Sequence, residues 1–266
     1  GATGPPATRT GRAVITMTLL NVERIKLFST RSPYWCLAAI VIAGFGFATL
    51  FGLVEQGDAA IPYLILRGVN LGMSIFMVMA ALAITTEYRF GTIRNTFLAT
   101  PRRPAVLAAK TLLLALIGGV VGFVVSVGCF FLAKALAQNP PAPLELSSGD
   151  DWRQVAGYGA LFAIAGVIAV SVGTIVRQSA GAIAIVLLWP LLFESLFTLI
   201  PTVGPKVGPW LPFTAADKWV SPTNSITDLF QSSTTGPTPV QGLLVFAGAA
   251  AVLWVVAVLV LQRRDA

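Results

Sequence analysis

The chain has 266 residues, 56% of them hydrophobic and only 11% charged, with a mean hydropathy of +0.81 and a formal net charge of +7. Soluble domains carry about a quarter of their residues charged, so this composition cannot coat a water-soluble globule and points to a membrane protein. With no histidine and two cysteines, Cys36 and Cys129, the chain lacks the usual ligands of a zinc or haem site and any His-based catalytic group.

Residues 1–15 are expected to form a flexible tail, because no apolar core follows their arginines as it would in a signal peptide. Residues 16–30, "TMTLLNVERIKLFST", set Leu20, Ile25, Leu27 and Phe28 among Glu23, Arg24 and Lys26. That mixture predicts an amphipathic helix lying on the membrane surface. Residues 31–266 form one helical membrane domain. A spanning helix needs about 20 mostly apolar residues, and six windows qualify: about 34–54, 64–86, 111–133, 155–176, 181–200 and 240–261. Backbone groups in lipid must be paired within their own segment, so the fold class is all-α. Cys36 and Cys129 fall near opposite ends of their spans and are expected to stay unbridged within one subunit.

Sidedness follows from the basic residues. If the tail, the 87–110 loop, the 177–180 turn and the carboxyl end share one side, that side holds 13 of the 18 lysines and arginines. Both termini are therefore expected in the cytoplasm.

Between spans two and three lies "TTEYRFGTIRNTFLATPRRPAVLAAK" (85–110). Read as a helix over 87–98, it places Phe90, Ile93 and Phe97 on one apolar stripe, with Arg89, Thr92 and Thr96 elsewhere. Gly91 is taken as a point of close backbone approach, and Pro101 and Pro104 turn the chain into span three. The positive-inside rule alone accounts for the basic residues but not for Glu87 or the stripe. A docking helix that inserts into a partner accounts for all three.

Polar residues within spans are candidates for a solute path. Arg67, Asn70 and Ser74 share one face of span two, where they either line such a path or make ordinary helix–helix hydrogen bonds. Glu194 is an acid within an apolar span, one turn beyond Pro190. It is read either as a gate or solute contact, or as the partner of an outer-loop Lys or Arg. Gly118, Gly119 and Gly122 give span three a small-residue face, suited to helix packing or to a subunit seam. The segment 201–239 is rich in proline yet keeps Trp210, Leu211, Phe213, Trp219, Leu229 and Phe230. Part of it is expected to dip back into the interface or to cap the helices.

The 85–110 stretch resembles the E-Y-R-x-G-T-[IL]-R…P-R-R…K block of type-2 ABC transporter permeases. "NVERIKLFSTRSPYW" (21–35) is similar to the segment that precedes their first span. The resemblance implies six spans, a connecting helix at 16–30 and possible re-entrant helices between spans five and six. It also implies a coupling helix at 87–97 that contacts a separate ATPase through Glu87, Tyr88, Arg89, Gly91, Thr92 and Arg94. The chain has no G-x-x-x-x-G-K-[ST] phosphate loop, so ATP and magnesium would sit on two partner ATP-binding cassette subunits and this chain would hold no cofactor. A second permease, identical or different, would complete a solute path in the inner (plasma) membrane. The expected activity is efflux of a hydrophobic or amphiphilic compound, such as a drug, peptide or lipid, without enzymatic chemistry or nucleic acid. The alternatives are an ion-gradient-driven secondary transporter and a non-transporting regulatory protein of the same fold. A membrane-embedded enzyme is disfavoured, because no clustered nucleophile and base is visible.

Overall fold

The computed structural model describes residues 20–54, 65–91, 103–137, 146–221 and 236–263, which are helical apart from short turns. A short helix α1 (20–28) precedes α2 (Ser32–Val54), α3 (Arg67–Arg89) and α4 (Arg103–Leu136). The fourth span joins α5 (Gly149–Ala156) to α6 (Tyr158–Val176). The fifth is α7 (Ser179–Leu188), a π-helical turn (Trp189–Phe193) and α8 (Glu194–Thr198). Short helices α9 (Gly204–Val207) and α10 (Pro212–Val220) then lead towards the last span, α11 (Pro239–Arg263).

Six of these segments are long and apolar enough to cross a membrane, each overlapping one of the six expected windows. The third overshoots its window most, because α4 begins at Arg103 and takes Pro104 into its first turn. Proline is tolerated there, since the N–H it lacks would have had no partner. At 34 residues and 1.5 Å per residue, α4 is about 50 Å long, well beyond the hydrocarbon thickness it has to cross.

The core is built round α6, which packs against α3, α4 and α11, while α3 also touches α2 and α7. Glycines permit the closest approach. A Cβ added at Gly122 would lie 2.7 Å from the Tyr158 carbonyl oxygen, and one at Gly118 would meet the Phe76 ring at 2.6 Å. The small-residue face of span three thus seats α4 on α6 and α3 inside one chain. By contrast, α2, span five and α11 each bury only 17% of their apolar windows, leaving broad hydrophobic faces turned outward.

The helices alternate in direction, so the molecule has two distinct ends. At one, α1 meets the end of α3 and the start of α4 through Glu23, Glu87 and Lys110, and Leu261 of α11 lies beside Tyr88 and Lys110. At the other, α10 packs on α11 and is met by Arg153 of α5. Cys36 lies near the first end of α2 and Cys129 is buried near the second end of α4; both thiols are free.

Two expectations change. The helix expected over 87–98 does not start at Glu87, because α3 continues through Glu87, Tyr88 and Arg89 and stops there. Gly91, at φ +68°, ends it, its N–H bonded to the Tyr88 carbonyl while the Phe90 N–H bonds to Thr86. Gly91 is needed for this left-handed cap and not for close approach, since nothing lies within 4 Å of where its Cβ would be. In α1, Glu23 is buried, while Val22, Arg24 and Ile25 are exposed.

Candidate functional site

The last segment of the fifth span carries the most informative geometry. Pro190 has no N–H to donate, and the chain absorbs the loss as a π-helical turn, with the Glu194 N–H reaching back to the Trp189 carbonyl. One extra residue in a turn rotates everything beyond it by about 100°. That rotation brings Glu194 inward on a span whose neighbours, Leu191, Phe193 and Leu196, face out.

Glu194 is 3% exposed and both of its oxygens are occupied twice. Oε1 accepts from the Trp189 indole at 3.0 Å and from the Phe213 N–H at 3.1 Å. Oε2 accepts from the Thr214 N–H at 2.7 Å and from its hydroxyl at 2.9 Å. A carboxylate offers about four lone-pair sites, so this one has no acceptor capacity left. The reason lies in α10. Its N-cap is Leu211, whose side chain cannot cap, and its first residue, Pro212, has no N–H. The N–H groups of Phe213 and Thr214 would otherwise be orphaned. Glu194 satisfies both from another segment and brings negative charge to the positive end of the helix dipole. The expected outer-loop Lys or Arg partner is thus replaced by a helix N-terminus.

The opposite end of α10 is held by opposite charge. The Arg153 guanidinium donates to the Ser221 carbonyl at 3.1 Å, to the Lys218 carbonyl at 3.4 Å and to the Trp219 carbonyl. Asp150 orients it at 2.8 Å, and the Trp219 ring lies 5.7 Å from its carbon. A capping box between Ser148 and Asp151 fixes the start of α5 and hence Arg153.

Between α3, span five and α10 lies a cavity of about 680 Å³. From α3 it receives Arg67, Asn70, Met73, Ser74 and Met77; from span five, Glu194, Ser195 and Thr198; from α10, Thr214 and Asp217. Arg67 and Met77 are ten residues apart, so this wall is about 15 Å deep. Among the described residues, no hydrogen bond joins the Asn70 or Ser74 side chain to a neighbouring helix. The sequence-predicted Asn70, Ser74 and Glu194 are therefore brought together, with Asn70 and Ser74 open to the cavity and Glu194 spent on α10.

At the other end, Lys110, 5% exposed, lies between two carboxylates. It pairs with Glu23 and, at 3.0 Å, with Glu87, while Lys26 reaches Glu23 at 3.1 Å and Glu87 at 3.5 Å. The four charges cancel and tie α1 to α3 and α4. Of the residues expected to contact an ATPase, Glu87 faces this cluster, and Tyr88 lies under the Arg177 guanidinium at 5.0 Å. Arg89 and Gly91 are exposed, whereas Thr92 and Arg94 lie outside the described residues. Sequence reasoning gave Glu23 and Lys110 no role. A glutamate on a surface helix and a lysine inside a span were the available signals.

Compared with known proteins, the chain matches no family model and no curated sequence.

Proposed function

We propose that this chain is the transmembrane permease subunit of an ATP-driven exporter of the type-2 ABC class. In this reading it works as a dimer of permeases with two separate ATP-binding subunits in the plasma membrane. The observation that carries the reading is the cavity between α3 and span five, where Asn70 and Ser74 of α3 open to a space of about 680 Å³. Apolar Met73, Met77 and Leu161 alternate there with Asn70, Ser74 and Thr198. Such a mixed lining suits an amphiphile, because each polar group of the cargo finds a donor or acceptor while its body stays on apolar surface.

The charged end supplies the coupling. The E-Y-R-F-G-T-I-R block starts at Glu87, in the last turn of α3, and belongs to the stretch rich in basic residues. The resemblance assigns the contact with the ATPase to this block. Glu87 then acts by holding α1 and α4 to the base of α3, and the exposed Arg89, with Arg94 of the same block, carries the charge that a partner meets. A push on this corner moves α1, α3 and α4 together, and α3 is also the wall of the cavity. ATP drives the cycle only if it binds the closed ATPase pair more tightly than the open one. The segments after span five, including α10, serve as the re-entrant elements of the outer side.

The test is capture of the tagged chain from its own membranes in mild detergent. An ATP-hydrolysing subunit is expected to co-purify, and Arg94→Glu is expected to lose it while the chain still inserts. Solute movement by the purified chain alone under an ion gradient, with no ATPase present, overturns the reading in favour of a secondary transporter.

A further inference from the structure

We propose that Glu194 is a positioning residue that holds α10 as a lid over one end of the cavity, the Arg153 end serving as the fixed anchor. The proposal rests on the transport reading only for its purpose, since the closure itself is a property of this chain alone.

Three observations carry it. First, both oxygens of Glu194 are saturated by protein donors, three of the four on Phe213 and Thr214 of α10. The residue therefore has nothing to offer a solute, although it lines the cavity. Second, the half of α10 that Glu194 grips is the half that walls the cavity, through Phe213, Thr214, Ala216 and Asp217. Arg153 instead grips Lys218, Trp219 and Ser221, of which none lines it. Third, the two polar grips come from different bodies, although Phe213 also packs on buried Phe246 of α11, ring centroids 5.1 Å apart. Glu194 belongs to the segment beyond the π-helical turn of span five, whereas Arg153 belongs to α5, which leads directly into the central α6. Span five buries little of its surface, so a change of pitch at the π-helical turn carries Glu194 away from α10 while the Arg153 end stays on the core.

The two attachments are unequal in consequence. Loss of the Glu194 grip exposes two orphan N–H groups at the mouth of a cavity, where water can satisfy them. Loss of the Arg153 grip removes the anchor but leaves the cavity wall held by Glu194. An added Cβ at Gly242 of α11 would meet the Ala215 carbonyl, so the middle of α10 is seated directly on that helix and acts as the fulcrum.

The experiment uses a single reporter thiol, Ser74→Cys, with Cys36→Ser and Cys129→Ala, in lipid nanodiscs without ATP or any partner. The rate of modification by a small charged methanethiosulfonate reports how often the cavity opens. Glu194→Gln and Glu194→Ala are expected to raise that rate about tenfold or more, the loss of one hydrogen bond to a charged group being enough for that factor. Thr214→Val, which deletes only the hydroxyl donor, is expected to raise it about threefold. Arg153→Gln is expected to lower the thermal midpoint while leaving the rate within about twofold. An unchanged rate in Glu194→Gln or, where that variant does not fold, in Thr214→Val overturns the lid. An increase in Arg153→Gln equal to that in Glu194→Gln also overturns it, because general loosening then explains both. Failure of the exporter reading shows separately, as absence of an ATPase from the captured complex with labelling unaffected.

Discussion

The two ends of this molecule handle buried charge in different ways. At the basic end, Glu23, Lys26, Glu87 and Lys110 neutralise one another side chain to side chain across three helices. At the cavity end, Glu194 and Arg153 meet backbone groups, one at each terminus of α10. A side-chain cluster ties rigid helices together at a single point and resists being pulled apart, since each separated ion would be left in a poor dielectric. A helix terminus is a weaker and more graded partner, because its charge is partial and water can replace it. The first arrangement suits a corner that must move as one body, the second a short helix that must let go.

The largest effect expected from breaking this contrast is at Lys110. Lys110→Met leaves Glu23 and Glu87 buried with only Lys26 between them, and should cost about 3–5 kcal/mol of stability, measured as the shift in chemical unfolding in detergent micelles. Lys110→Arg, which keeps the charge, should recover much of that loss. A loss under about 1 kcal/mol for the methionine variant would place the corner among ordinary surface pairs. A smaller effect is expected at the cavity end. Trp189→Phe removes one of the four donors to Glu194 without touching α10, and should cost about 1–2 kcal/mol, read from the thermal midpoint in nanodiscs. The smallest is at Lys26, whose side chain is 37% exposed. Lys26→Ala should change stability by less than about 1 kcal/mol and become undetectable in high salt, where exposed pairs are screened. If Lys26→Ala matched Lys110→Met, the corner would be a network of equals and not a cluster centred on Lys110.

Much of the architecture is legible in the residues because its cause is local. Hydropathy accumulates over about 20 neighbouring positions, which is why six apolar windows correspond to six helices. The i, i+3, i+7 spacing of Arg67, Asn70 and Ser74 is likewise a local fact, and it correctly predicts a shared face. Pro190 lacks an N–H to donate, which is also a local fact, and a π-helical turn is there. The start expected at Glu87 does not hold, because Gly91 follows an exposed Arg89–Phe90 pair and supplies a left-handed stop to α3, while 92–98 lie outside the described residues.

What needed the tertiary structure was the identity of partners. Glu194 was identified as unusual from its neighbours, but an outer-loop cation and a helix N-terminus are equally acceptable to a carboxylate. Only the fold brings Phe213 and Thr214 within 2.7–3.1 Å of it. Glu87 was read as facing outward to a partner, and the fold turns it to Lys110, 23 positions away. Chain composition and spacing thus determined that this protein is a bundle of six membrane-length helices, since burial in lipid acts on each segment separately. Which charges are spent on the fold, and which remain for other molecules, was decided by contacts between segments far apart in sequence, because an ion pair or a helix cap depends on where two groups meet in space.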